Sequence, residues 1–136
     1  MDERKKRKAQ RKFEEQIKKV KPEDVEKVLK KREEIEEKLK SQLRKFIYEI
    51  KLLFELLSDF KSGKYREVPW HTIAAIVAAL LYVLNPLDVI PDFIPVVGQI
   101  DDAFVLGLCL TLIEKDLNKY NKYKVWKEEQ KEEKTS

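Results

Sequence analysis

Residues 65–102 read YREVPWHTIAAIVAALLYVLNPLDVIPDFIPVVGQIDD, and this stretch decides the fold. It joins an apolar run to a proline-rich segment, and a second apolar run follows at residues 103–113. Asn85-Pro86 ends the first run, because proline excludes the residue before it from the α-helical region. The pattern predicts a helical hairpin with residues 85–99 as its elbow.

The composition favours an all-α fold for the whole chain. Charged residues make up 40% of the 136 residues and glycine accounts for 3 of them, a balance typical of long solvated helices. At this length we expect one modest core. We place charged N-terminal helices at residues 1–60, the apolar hairpin at residues 61–117 and a charged C-terminal helix at residues 118–136.

A long amphipathic helix is predicted before the hairpin. Pro22 suits its first turn, and neither proline nor glycine follows before residue 60. A heptad seam in this helix predicts packing on the hairpin or, as a coiled coil, on a second chain. The seam consists of Leu39, Leu43, Phe46, Ile50, Leu53, Leu57 and Phe60. Further apolar residues beside the seam, among them Ile47, favour packing within the chain for residues 43–60.

Charge is distributed unevenly between the two halves of the chain. Residues 1–66 carry 22 Lys and Arg against 14 Asp and Glu, whereas the remainder carries 7 against 11. The basic arm at residues 4–12, expected as a frayed helix or a solvated tail, suits nucleic-acid phosphates or an anionic membrane surface. It lacks the interleaved aromatic residues that stack on bases. Nucleic-acid binding is therefore kept as a second alternative.

The two apolar runs allow a membrane interpretation and a soluble one. Lysine and arginine flank both outer ends of the hairpin, which is the positive-inside pattern for a hairpin with cytoplasmic ends. The runs at residues 68–84 and 103–117 are shorter than the ~20 apolar residues that span a bilayer. These features favour membrane-surface association or shallow insertion from the cytoplasmic side. The alternative is a cytoplasmic soluble bundle that forms homo-oligomers. Candidate interfacial aromatics are Tyr65, Trp70, His71, Tyr120, Tyr123 and Trp126.

Residues 65–102 resemble the YkvA-like domain of unknown function, which occurs in bacterial and archaeal proteins. The resemblance rests on a closely spaced motif, in which Asn85 stands where serine is more usual. The motif residues are Tyr82, Asn85, Pro86, Asp88, Pro91, Asp92, Pro95, Gly98, Asp101 and Asp102. The resemblance implies a family without an established activity, whose members are often described as membrane-associated.

The elbow carries the candidate chemistry of the chain, in the four aspartates Asp88, Asp92, Asp101 and Asp102. Carboxylate oxygens are the ligands that Mg²⁺ and Ca²⁺ prefer, so a divalent cation is the cofactor to consider. Capping of local turns and of the following helix is the favoured interpretation of the same side chains.

No combination of nucleophile, base and oxyanion donor forms a recognisable catalytic pattern. The sequence therefore predicts a membrane-associated interaction or scaffold module without catalysis, whose protein partner it does not identify. The first alternative is a soluble oligomeric bundle whose aspartate-rich elbow binds a divalent metal.

Overall fold

The structure, a computed structural model, describes residues 3–84 and 102–135, and every regular element in these residues is an α-helix. The predicted all-α fold is confirmed. In chain order the helices are α1 (Glu3–Lys19), α2 (Pro22–Lys30), α3 (Arg32–Lys38), α4 (Lys40–Ser62), α5 (Trp70–Leu84) and α6 (Asp102–Thr135).

Helix α5 forms the centre of the bundle. It contacts α1, α2, α3 and α6, and eleven of its fifteen residues are buried. A helix that is apolar around most of its circumference needs cover on every side, and these four helices supply it. Its small residues let α6 approach closely: the Cys109 Sγ lies 3.6 Å from the Ala75 carbonyl oxygen. The two arms of the hairpin therefore pack directly on each other.

Helix α1 includes the basic arm that the sequence suggested as a frayed helix or tail. Ala9, Phe13 and Ile17 recur every four residues and are buried, so they form one stripe along the helix. Helix α1 contacts α5. The arm is therefore a folded part of the bundle, and most of its described cationic side chains are exposed.

The segment expected as one long helix is divided into α2, α3 and α4. The breaks fall at Lys31 (φ −100°, ψ 16°) and Leu39 (φ −92°, ψ 11°), and Phe46 (φ −117°, ψ 21°) kinks α4. One straight helix over residues 22–62 would measure about 60 Å, against about 22 Å for α5. The breaks let α2 and α3 both contact α5, so packing on α5 accounts for the division.

Local start and stop signals are placed as the sequence predicts. At the start of α2 the Lys21 backbone N–H donates to the Asp24 Oδ2 over 2.9 Å. At the end of α4, Gly63 adopts the left-handed conformation with φ 85°, which glycine reaches without steric cost. The second arm of the hairpin is described from Asp102 onward, and the predicted start at Asp101 lies outside the described residues.

Candidate functional site

Most motif residues fall outside the part of the chain that the structure describes. Tyr82 is buried in α5, with 1% of its surface exposed. Asp102 belongs to α6. The motif residues outside the described part are Asn85, Pro86, Asp88, Pro91, Asp92, Pro95, Gly98 and Asp101.

The metal site predicted at Asp88, Asp92, Asp101 and Asp102 therefore remains a prediction. Within residues 3–84 and 102–135, no three His, Cys, Asp or Glu side chains are placed to share a metal ion. Three of the four predicted ligands lie outside those residues, and the side chain of Asp102 is not described.

The polar groups between the two arms of the hairpin hold the arms together. The Thr72 Oγ1 donates to the Asp116 Oδ2 over 2.5 Å, and Thr72 is 3% exposed. Burial raises the pKa of the Cys109 thiol to about 12. A neutral, buried thiol is a poor nucleophile and metal ligand. We therefore assign these groups to structure rather than to chemistry.

Three tyrosines that the sequence offered as interfacial anchors form one cluster in the bundle. The ring centroid of Tyr65 lies 5.0 Å from that of Tyr120 and 4.8 Å from that of Tyr123. The Tyr120 hydroxyl donates to the Asp59 Oδ2 over 2.6 Å. Burial raises the pKa of Tyr120, and its bond to Asp59 raises it further. Tyr65 and Tyr120 are buried, whereas Trp126 is 52% exposed.

An open groove runs between α1 and α6, and we call it the α1–α6 groove. Its apolar walls are Phe13 of α1 and Phe104, Leu108 and Leu112 of α6, and its volume is about 370 Å³. Leu112 is 40% exposed. Gly107 lies in the same wall, and a Cβ added there would meet no atom within 4 Å. The volume is within the range of ~300–1,000 Å³ that is typical of small-molecule sites.

A cationic concavity borders this groove along α1. Gln10 and Glu14 line both spaces. The cationic concavity, about 650 Å³ in volume, is also lined by Arg4, Arg7 and Arg11. Residues spaced by three and four share one face of a helix. Within the described residues Arg4 and Arg11 form no ion pair, while the Arg7 Nε donates to the Glu3 carbonyl oxygen over 3.4 Å.

A separate apolar patch lies where α4 meets the C-terminal half of α6. Ile47 is 61% exposed, Tyr48 59% and Val125 50%. The Tyr48 hydroxyl donates to the Asn121 Oδ1 over 2.7 Å, which ties the two helices together. The sequence pattern placed Ile47 in the buried stripe of its helix, and the structure instead exposes it.

Sequence reasoning did not single out the α1–α6 groove. Phe104, Leu108 and Leu112 were treated as one apolar run that needed cover. The available signal was Gly107, because a glycine inside a helix costs about 1 kcal/mol relative to alanine. Where the backbone conformation does not require glycine, a glycine inside a helix indicates open space beside the helix, as it does at Gly107.

Comparison with known proteins identifies the family. The family described as "Protein of unknown function (DUF1232)" matches residues 72–108. A curated relative from Bacillus subtilis (strain 168), "Uncharacterized membrane protein YkvA", is 44% identical over 82 residues, which cover 60% of this chain and 77% of the relative. No solved structure matches the chain. The chain belongs to the YkvA-like family of unknown function, as its motif indicated.

Neither description names a catalytic activity. Among the helices of residues 3–84 and 102–135, none combines the length and the apolar character needed to cross a membrane.

Proposed function

We propose that the protein is a non-catalytic module that attaches to the cytoplasmic surface of an anionic membrane. The observation that carries this proposal is the surface of α1, where the 17-residue helix holds nine Lys and Arg against three Glu. Each cationic residue close to an anionic membrane contributes about 1 kcal/mol of attraction. The relative from Bacillus subtilis is named a membrane protein, which supports the same interpretation.

Surface attachment is favoured over insertion of the hairpin by the burial of α5. Ile76, Val77 and Leu80 have no exposed surface, because α1, α2, α3 and α6 pack around α5. Lipid would reach these side chains only if those helices moved away. Attachment through α1 requires no such rearrangement, since Arg4, Arg7, Arg11 and most of the other described cationic side chains of α1 are already exposed.

The scaffold part of the proposal concerns the patch of Ile47, Tyr48 and Val125. The cores of protein interfaces are more apolar than the rest of the surface, and aromatic residues are enriched in them. The patch lies on α4 and the distal part of α6, not on the cationic face of α1. A membrane-attached molecule would thus keep a separate surface for a protein partner.

The test is sedimentation with lipid vesicles. We expect the folded protein to sediment with vesicles that contain phosphatidylglycerol and to remain in the supernatant with phosphatidylcholine alone. Raising salt from about 0.1 M to about 0.5 M should release it, because screening weakens exposed charge interactions. Recovery in the supernatant under all these conditions would contradict membrane attachment.

Two charge-matched variants locate the attachment surface. The first neutralises Arg4, Arg7 and Arg11 with glutamine, and we expect about fivefold weaker binding for each residue replaced. The control neutralises three exposed cations of α4, which should change binding less. The control residues are Arg44, Lys45 and Lys51. Equal weakening by both variants would mean that net charge, and not the face of α1, governs attachment.

Nucleic-acid binding is the second candidate function, because an exposed cationic helix also neutralises phosphates. Duplex DNA would bind with an affinity that falls steeply as salt rises. Nucleic-acid binding would replace the membrane proposal if the protein bound duplex DNA but not vesicles, and if the triple glutamine variant of α1 no longer bound the DNA.

The divalent-cation site at the elbow is tested by thermal melting. A cation that binds the folded state raises the melting temperature. A higher melting temperature with excess Mg²⁺, Ca²⁺ or Mn²⁺, lost on Asp88→Asn and Asp92→Asn, would support the site. An unchanged melting temperature would leave structural capping as the role of the aspartates.

A further inference from the structure

We propose that the α1–α6 groove binds one acyl chain of an anionic phospholipid, while Arg4, Arg7 and Arg11 bind the lipid phosphate. The proposal rests on the membrane attachment proposed above and names the lipid and its site.

The apolar half of the argument concerns the walls of the groove. Phe13, 2% exposed, packs into the core, and Leu112 of the opposite wall is 40% exposed. Phe104 and Leu108 are half-buried. A slot with aromatic and aliphatic walls gains stability when an apolar chain displaces its water. Gly107 keeps the slot open, because no side chain projects from the α6 wall at that point.

The charged half of the argument concerns the adjoining face of α1. Guanidinium groups bind phosphate through paired hydrogen bonds. Arg4, Arg7 and Arg11 are spaced by about 4.5 Å and 6 Å along the helix axis. The acidic side chain in this lining is Glu14, and its negative charge repels an anion. Removal of its charge should therefore tighten binding.

The walls of the groove and the adjoining cationic face of α1 argue against other occupants of the groove. An amphipathic helix would need apolar contacts along both walls, but Gln10 and Glu14 stand in the α1 wall. A second copy of the chain whose twofold axis passed through this face would place the three arginines near their own counterparts. A molecule with an apolar chain and an anionic head matches both parts of the site.

Photo-crosslinking tests where the acyl chain lies. Vesicles would contain phosphatidylglycerol with a photoactivatable diazirine in the middle of one acyl chain, and the crosslinked peptides would be mapped by mass spectrometry. We expect crosslinks in residues 10–14 and 104–112. Crosslinks at Ile47 or Val125, or none from a protein that sediments with the vesicles, would overturn the proposal.

Gly107→Leu tests the groove itself, since it fills the open space without adding charge. We expect the melting temperature to hold or rise, crosslinks in the groove to disappear, and vesicle binding to weaken about tenfold. Ser58→Leu, which adds the same side chain at an exposed position of α4, should change none of these. A large fall in melting temperature for Gly107→Leu would mean that the space is closed, which overturns the proposal.

Glu14→Gln should change vesicle binding in the opposite direction from Gly107→Leu. Loss of one anionic charge at the phosphate site should strengthen binding to phosphatidylglycerol vesicles by up to about fivefold. Unchanged or weaker binding would count against a phosphate at this position.

The outcomes separate the lipid site from the proposed function. If Gly107→Leu binds vesicles as the unmodified protein does and the groove is never crosslinked, the groove proposal fails while surface attachment stands. If the unmodified protein does not bind anionic vesicles, both proposals fail.

Discussion

The two arms of the hairpin are both apolar, yet they differ in what covers them. In α5 eleven of fifteen residues are buried. In the first half of α6, Phe104, Leu108 and Leu110 are half-buried and Leu112 is exposed. Four helices surround α5, whereas α6 has α5 as its main contact. The comparison teaches that an apolar run alone does not reveal which of its residues stay available to a ligand.

The largest expected difference between the arms comes from adding a charge to each. Leu80→Lys buries an ammonium group where the side chain has no exposed surface, and we expect it to lower the free energy of unfolding by about 4 kcal/mol or more. Leu112→Lys, at a partly exposed position of α6, should cost less than about 1 kcal/mol. Urea denaturation followed by circular dichroism measures both, and similar losses would contradict the difference between the arms.

The thiol between the arms predicts a fall in stability at alkaline pH. Burial raises the pKa of Cys109 from 9.0 to about 12, so the unfolded chain loses this proton at lower pH than the folded protein. The contribution of the protonated thiol to the free energy of unfolding is fully present below pH 9. It is lost as pH rises toward 12, with a slope of about 1.4 kcal/mol per pH unit. Urea denaturation at pH 8 to 10 measures the slope. Cys109→Ala should flatten it, and an unchanged slope in that variant would contradict burial of the thiol.

The hydrogen bond between Thr72 and Asp116 predicts a smaller loss. Thr72→Val preserves the shape of the side chain but removes the donor, and we expect a loss of about 1–3 kcal/mol in the free energy of unfolding. Thr111→Val is the matched control, because Thr111 is exposed on α6 and should change stability by about 0.5 kcal/mol or less. Equal losses in the two variants would mean that the bond does not join the arms.

The smallest expected effects on the free energy of unfolding come from replacing a glycine with alanine. Gly107→Ala should raise the free energy of unfolding by up to about 1 kcal/mol, because alanine favours the helix and the site has room for its Cβ. Gly63→Ala should lower it by about 1 kcal/mol, because φ is 85° there. Thermal melting of the two variants measures both signs. A loss of stability in Gly107→Ala would show that the groove wall has no free space.

Local signals in the sequence predicted the parts of the fold that depend on local chemistry. Pro22 marks the start of α2, and Gly63 marks the end of α4. The backbone preference of one residue sets each of these two boundaries. The predicted end of the first arm at Asn85-Pro86 lies outside the described residues. The family was also identified from residues that lie close together in the chain.

Features that depend on packing were not predictable in the same way. The breaks at Lys31 and Leu39 contain no proline or glycine, and they arise because α2 and α3 both pack on α5. Helix α1 packs on α5, a partner that the pattern of α1 alone does not identify. The α1–α6 groove depends on how far these two helices stand apart, which their separate patterns do not encode.

The position of α5 in the chain also has a consequence for biosynthesis. The segments that form α1, α2 and α3 precede α5 in the sequence, so a ribosome completes them before α5 emerges. The most apolar segment of the nascent chain thus meets three of its four covering helices as it leaves the exit tunnel. The face that packs on α6 must wait for the rest of the chain. During that interval it is the surface of α5 open to chaperones and to the membrane-targeting machinery.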